Sequence, residues 1–140
     1  MPGLRRSHKV LIIDDAPSVA DTLALIFSKE GYEARVAYSA EQAIEIIAQW
    51  VPDLAIVDVV LPQMNGLELA LVLKDNYPHC PVLLFSGEEA TGELVARAAR
   101  DGNVFEVLAK PVHPAYMLEA AANLLRSNSN YSNGYAGNSA

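Results

Sequence analysis

Apolar residues along this chain fall into two patterns that take turns. The first is a short unbroken run, seen at Val10–Ile13, Leu54–Val57 and Val82–Phe85. Runs this short, apolar at successive positions, predict strands buried on both faces. The second is a helical spacing. It recurs in Val19, Leu23, Ile26 and Phe27, in Ile44, Ile47 and Val51, and in Leu69, Ala70 and Leu73. It returns in Leu94, Val95 and Ala98, and again in Leu118, Ala121 and Leu125. Each set puts an apolar stripe on one face of a helix. Weaker runs at Glu33–Ala37 and Val104–Ala109 supply a second and a fifth strand, and Lys9 opens the first.

The punctuation agrees with the pattern. Pro17 suits a first helical turn, and Gly31 suits the residue just past a helix end. Ser39 with Gln42, and Asn65 with Glu68, have capping-box spacing. Gly102 closes the fourth helix and Pro114 opens the fifth. Five strands and five helices in strict alternation predict an α/β fold. A parallel sheet would be covered by helices on both faces, with right-handed crossovers.

Composition narrows the function. A chain of 140 residues that is 51% hydrophobic predicts one domain with a real core. A net charge of -7 argues against direct nucleic-acid binding, which needs a basic surface. Cys80 is the single cysteine, so no internal disulfide forms, and a reducing, cytoplasmic setting is expected. His79 adjoins it, but no second pair completes a metal site. His8, His79 and His113 show no ligand spacing among themselves. No run approaches the length of a membrane span. Residues 127–140, "SNSNYSNGYAGNSA", are uncharged and without apolar period. They predict a disordered tail, or the start of a linker, after a folded unit over 1–126.

Chemistry gathers where the strands end. In open parallel sheets, ligands bind beyond the carboxyl ends of the strands. The first run is followed by Asp14 and Asp15, the third by Asp58, the fourth by Ser86 and Gly87, and the fifth by Lys110 and Pro111. Three carboxylates in one small volume repel unless a cation sits among them. Hard oxygens and high negative charge suit Mg²⁺. One carboxylate can then act as a nucleophile toward phosphorus, with a cation and Lys110 offsetting phosphoryl charge. Ser86 could donate to a phosphoryl oxygen, and Gly87 leaves room for close approach. Each residue alone has a plainer reading. Asp14, Asp15 and Ser86 suit helix caps, Asp58 suits a turn, and Lys110 suits a solvated surface.

Together, "LIIDD", "LAIVDVVLPQMNG", "LLFSG" and "LAKP" resemble the signatures of bacterial response-regulator receiver domains, over about Lys9 to Arg126. The resemblance implies a flavodoxin-like sheet of order 2-1-3-4-5. It implies Asp58 as phosphoryl acceptor from a sensor histidine kinase. Asp14, Asp15 and Asp58, with the carbonyl of Val60, become Mg²⁺ ligands. Ser86 becomes the switch hydroxyl and Lys110 the phosphoryl-pairing lysine, with a Lys110–Pro111 bond that is often cis. Such a chain is a signalling domain rather than an enzyme. Its output goes to a separate protein, to a linked effector absent here, or to a homodimer through helix 4, strand 5 and helix 5. One position departs: Val107 stands where the family carries an aromatic, with Phe105 two residues earlier on the same face. Two other readings stay open. One is a receiver-shaped binding module without phosphorylation. The other is an aspartyl-phosphate phosphohydrolase, although its nucleophile would be expected on the first strand.

Overall fold

The computed structural model describes residues 7–87 and 89–139, without side-chain detail for 89–91 and 129–139. Its strands are β1 (Lys9–Ile13), β2 (Glu33–Ala37), β3 (Leu54–Asp58), β4 (Val82–Ser86) and β5 (Glu106–Ala109). Its helices are α1 (Pro17–Lys29), α2 (Ala40–Gln49), α3 (Gly66–Asn76), α4 (Glu89–Arg100) and α5 (Pro114–Ser139). The sheet has the order β2-β1-β3-β4-β5, with every pair parallel, as the resemblance implied.

Strand alternation splits the core in two. Leu11, Ile13, Val57 and Leu84 face α2, α3 and α4, where they meet Ala43, Ile47, Leu69 and Leu73. Val10, Ile12, Ile56 and Leu83 face α1 and α5, where they meet Phe27, Met117, Ala121 and Leu125. β1, β3 and β4 are buried along almost their whole length. β5 is exposed or half-buried throughout, because it ends the sheet.

Helix ends follow local chemistry. Asn65 and Glu68 close a full capping box at α3. Ser39 Oγ accepts from the Gln42 amide at 3.0 Å, but Gln42 Oε1 reaches one residue further back, to the Tyr38 amide. β5 starts at Glu106, two residues later than its apolar run predicts. Glu106 is the first residue of β5 to pair, opposite Leu83. Val104 is left 76% exposed. The helical backbone of α5 runs on past Arg126, where composition predicts the tail to begin. Asn128 Nδ2 donates to the His79 carbonyl at 3.0 Å there. Beyond it, the side chains of the expected tail lie outside the described residues.

The turn after β3 holds Asp58 in place. Gly66 donates its amide to the Val59 carbonyl at 2.8 Å. A Cβ on Gly66 would lie 2.0 Å from the Asp58 carbonyl oxygen and 2.7 Å from Val59 Cα. Both are backbone atoms, so no side-chain rotation relieves the clash. Gly66→Ala is therefore expected to lower stability by about 2–3 kcal/mol. Denaturant unfolding would read this as a lower midpoint. An unchanged midpoint would show that the turn adapts without cost.

Candidate functional site

The strand ends converge as the sequence reading expects. β1 and β3 are neighbours, so Asp14 and Asp58 sit side by side at their carboxyl ends. Asp14 is anchored by its own amide, which donates to the Ala37 carbonyl at 3.1 Å. One carboxylate oxygen from each of Asp14, Asp15 and Asp58 lies within 4.8 Å of the others. Asp14 and Asp58 are buried, whereas Asp15 is exposed. Ser86 is buried at the end of β4.

Lys110 crosses this acidic group. Its ammonium lies 2.9 Å from Asp58 Oδ2 and 3.6 Å from Asp14 Oδ2. The Lys110 amide donates to the Ser86 carbonyl at 3.1 Å, tying the ends of β5 and β4 together. The Lys110–Pro111 peptide is cis. Gly87 lies so close that a Cβ would come 3.3 Å from Lys110 Cβ. Beneath the ammonium is the Phe85 ring, 4.9 Å away. The sequence marks Phe85 only as strand core. Its cation–π contact depends on the fold of β4 against β5 and has no local signature.

The plain and the functional readings of Asp14 coexist. Its Oδ1 accepts from the Ala16 amide at 2.9 Å, so it does tie down the start of α1. Its Oδ2 is buried and has no hydrogen-bond donor. Asp58 Oδ1 accepts from the Val60 amide at 3.0 Å. Val60 itself is 48% exposed at the mouth of the site.

Electrostatics show a site short of positive charge. Burial pushes the Asp58 carboxyl above its ordinary value, and Asp14 adds to the rise. The hydrogen bonds from Lys110 and Val60, and the charge of Lys110, offset only part of it. Burial alone would lower Lys110, but the hydrogen bond and charge of Asp58, with Asp14, outweigh it and hold its ammonium protonated. One lysine therefore does not neutralise the acids. A buried carboxylate oxygen without a donor, beside two more carboxylates, fits a hard divalent cation such as Mg²⁺.

The other candidates sort simply. Burial pushes the Cys80 thiol up to about 12, which keeps it inert. Trp50 is buried, donates to Glu33 Oε2 at 3.2 Å and lies 4.5 Å beneath the Arg35 guanidinium. Phe105 packs against the α3 side of the core with the Lys74 ammonium 6.0 Å away. Val107 is 36% exposed. Among the described residues, no helix is long and apolar enough to cross a membrane.

A carboxyl raised in the folded state is stabilised by protonation, so ionised Asp58 costs stability above its folded pKa. Asp58→Asn is expected to raise unfolding stability near neutral pH without divalent ions. The gain should shrink as pH falls, because wild-type Asp58 then protonates. Paired denaturant titrations across pH would test this, and a variant less stable than wild type at neutral pH would contradict it.

Comparison with known proteins agrees with this geometry. The sequence model of the response regulator receiver domain matches residues 10–122. The chain is 35% identical over 107 residues to the nitrogen assimilation regulatory protein NtrX of Azorhizobium caulinodans, covering 75% of this chain and 23% of that protein. It is 30% identical over 120 residues to the response regulator MprA of Mycobacterium ulcerans, covering 86% and 51%. The chain thus spans about half or less of these relatives. A receiver domain protein (CheY-like) from Methanospirillum hungatei has a crystal structure similar to it. The TM-score is 0.82 at 25% identity, over 90% of this chain and 99% of that one. The chain belongs to the response regulator receiver domain family, the signalling modules of two-component systems.

Proposed function

We propose that Asp58 accepts a phosphoryl group from the phosphohistidine of a sensor histidine kinase, and that the modified site works as a cytoplasmic signalling switch. The observation that carries this reading is the meeting of Asp14, Asp15 and Asp58 around the Lys110 ammonium. What favours Asp58 as the acceptor is its resemblance to the acceptor position of receiver domains and the Lys110 ammonium, which hydrogen-bonds to it at 2.9 Å and stands 3.6 Å from Asp14. An Asp58 oxygen bonds to phosphorus as the phosphorus–nitrogen bond breaks, and the imidazole keeps that electron pair. Asp14, Asp15 and Asp58, with the Val60 carbonyl, would hold Mg²⁺. When bound, the ion would offset the negative charge of the phosphoryl oxygens.

Lys110 and Ser86 then read the product. A phosphoryl group adds nearly two negative charges and three acceptor oxygens. Lys110 already lies within reach of one Asp58 oxygen, and Ser86 stands at the neighbouring strand end. The hydrogen bond from the Lys110 amide to the Ser86 carbonyl couples their backbones. With Val107 in place of an aromatic, the route outward runs through this β4–β5 link and through α4. Among the described residues α4 buries only Ala98, so few contacts resist its displacement. Output goes to a partner through the α4, β5 and α5 face.

Incubation with acetyl phosphate and Mg²⁺ is expected to add one phosphoryl group, seen as a mass shift in the intact protein. A chelator, or Asp58→Asn, should remove the shift. A gain that persists in the Asp58 variant would move the acceptor elsewhere, and no gain at all would leave a receiver-shaped binding module. Sustained hydrolysis of phosphate esters over many turnovers would point to a phosphohydrolase instead.

A further inference from the structure

The sheet ends at β5. The α5 stripe of Met117, Ala121 and Leu125 is buried against the strands. The next stripe, Tyr116, Ala120, Asn123 and Ser127, borders the open side of β5. Between that stripe and β5 is a cleft of about 390 Å³. Leu108 and Leu124 line it as half-buried apolar residues. Its charged lining is Glu106 from β5 and Glu119 from α5, both exposed, and among the described residues no cation lines it. Tyr116, 66% exposed, adds an aromatic face.

We propose that this cleft docks an arginine side chain, flanked by apolar residues, on a segment of a partner protein. The arginine stem would lie along Leu108 and Leu124, as long cationic side chains do on apolar surface. Its guanidinium would meet Glu106 and Glu119 through charge-assisted hydrogen bonds and could stack on Tyr116. A planar fork suits two carboxylates and an aromatic face better than a compact ammonium. The outer edge of β5 has no neighbouring strand, so its backbone groups can align an extended segment. Charge argues against a second copy on this cleft. A second copy docked with the cleft on the two-fold axis would set Glu106 and Glu119 against the same two acids. Control of this docking by phosphate rests on the function proposed above, whereas the docking itself does not.

Nitrogen-15 NMR titration of the full chain with an acetylated peptide of alternating leucine and arginine tests the proposal. A matched peptide carries neutral citrulline in place of arginine. Saturable shifts are expected at residues 106–108 and along 116–127. Glu106→Gln combined with Glu119→Gln should weaken binding roughly tenfold, while the citrulline peptide should fail to saturate. Glu41→Gln with Glu45→Gln, exposed on α2, should leave binding unchanged. An equal loss in the α2 variant would reduce the effect to general acidity and overturn the proposal. Equal binding of the citrulline peptide would do the same, as would a concentration-dependent dimer that protects the cleft. Phosphoryl uptake by the β5–α5 double variant, read by mass, should match wild type. Its absence in wild type as well would sink the switch reading and leave the docking result standing.

Discussion

Like charges crowded at the end of a parallel sheet are the constraint around which this molecule is arranged. Asp14 and Asp58 are brought together by the pairing of β1 with β3, and burial makes their ionised forms costly. Lys110 meets both but cannot satisfy both. The remaining tension is what makes the site receptive. Under the proposed function, a divalent cation would relieve it by charge, and a phosphoryl group would change which oxygens the lysine serves. Without that imbalance, the strand ends would be an inert, neutralised cluster.

Much of the surrounding architecture serves to keep the imbalance in place. Gly66 lets the turn after β3 press against the Asp58 carbonyl. Gly87 lets β4 approach Lys110, whose amide is in turn held by Ser86. Phe85 gives the ammonium an aromatic floor rather than a competing charge. These contacts come from three different strand ends, so the site is only as precise as the register of the sheet. The core on either face sets that register, because a slip by one residue would turn every buried side chain to the opposite layer.

The output side is built differently. β1, β3 and β4 are sealed, while β5 is open and α4 buries only Ala98 among the described residues. Stability is thus concentrated in the middle of the sheet, and the edge beyond β4 is left to respond. Val107 withholds the usual aromatic from that edge, and Phe105 is committed to the core beside Lys74. Transmission as proposed would therefore lean on backbone coupling between β4 and β5. The acidic, partly apolar cleft beside α5 offers a place where the consequence can be felt by another molecule.

The alternation of apolar runs and helical stripes was enough to determine five strands, five helices and the α/β class, because burial on both faces leaves a local mark at every strand. The four strand-end motifs likewise marked Asp14, Asp15, Asp58, Ser86 and Lys110 as one group. Tertiary structure decided what local pattern does not carry. It shortened β5, and it carried the helical backbone of α5 past Arg126. It sent Gln42 to Tyr38, left Asp14 Oδ2 without a donor and placed the Phe85 ring under Lys110. It also opened the cleft beside Glu106 and Glu119. Each depends on which residues, distant in the chain, stand opposite one another. Spacing along one segment records its own exposed and buried faces, and holds no record of its neighbour's.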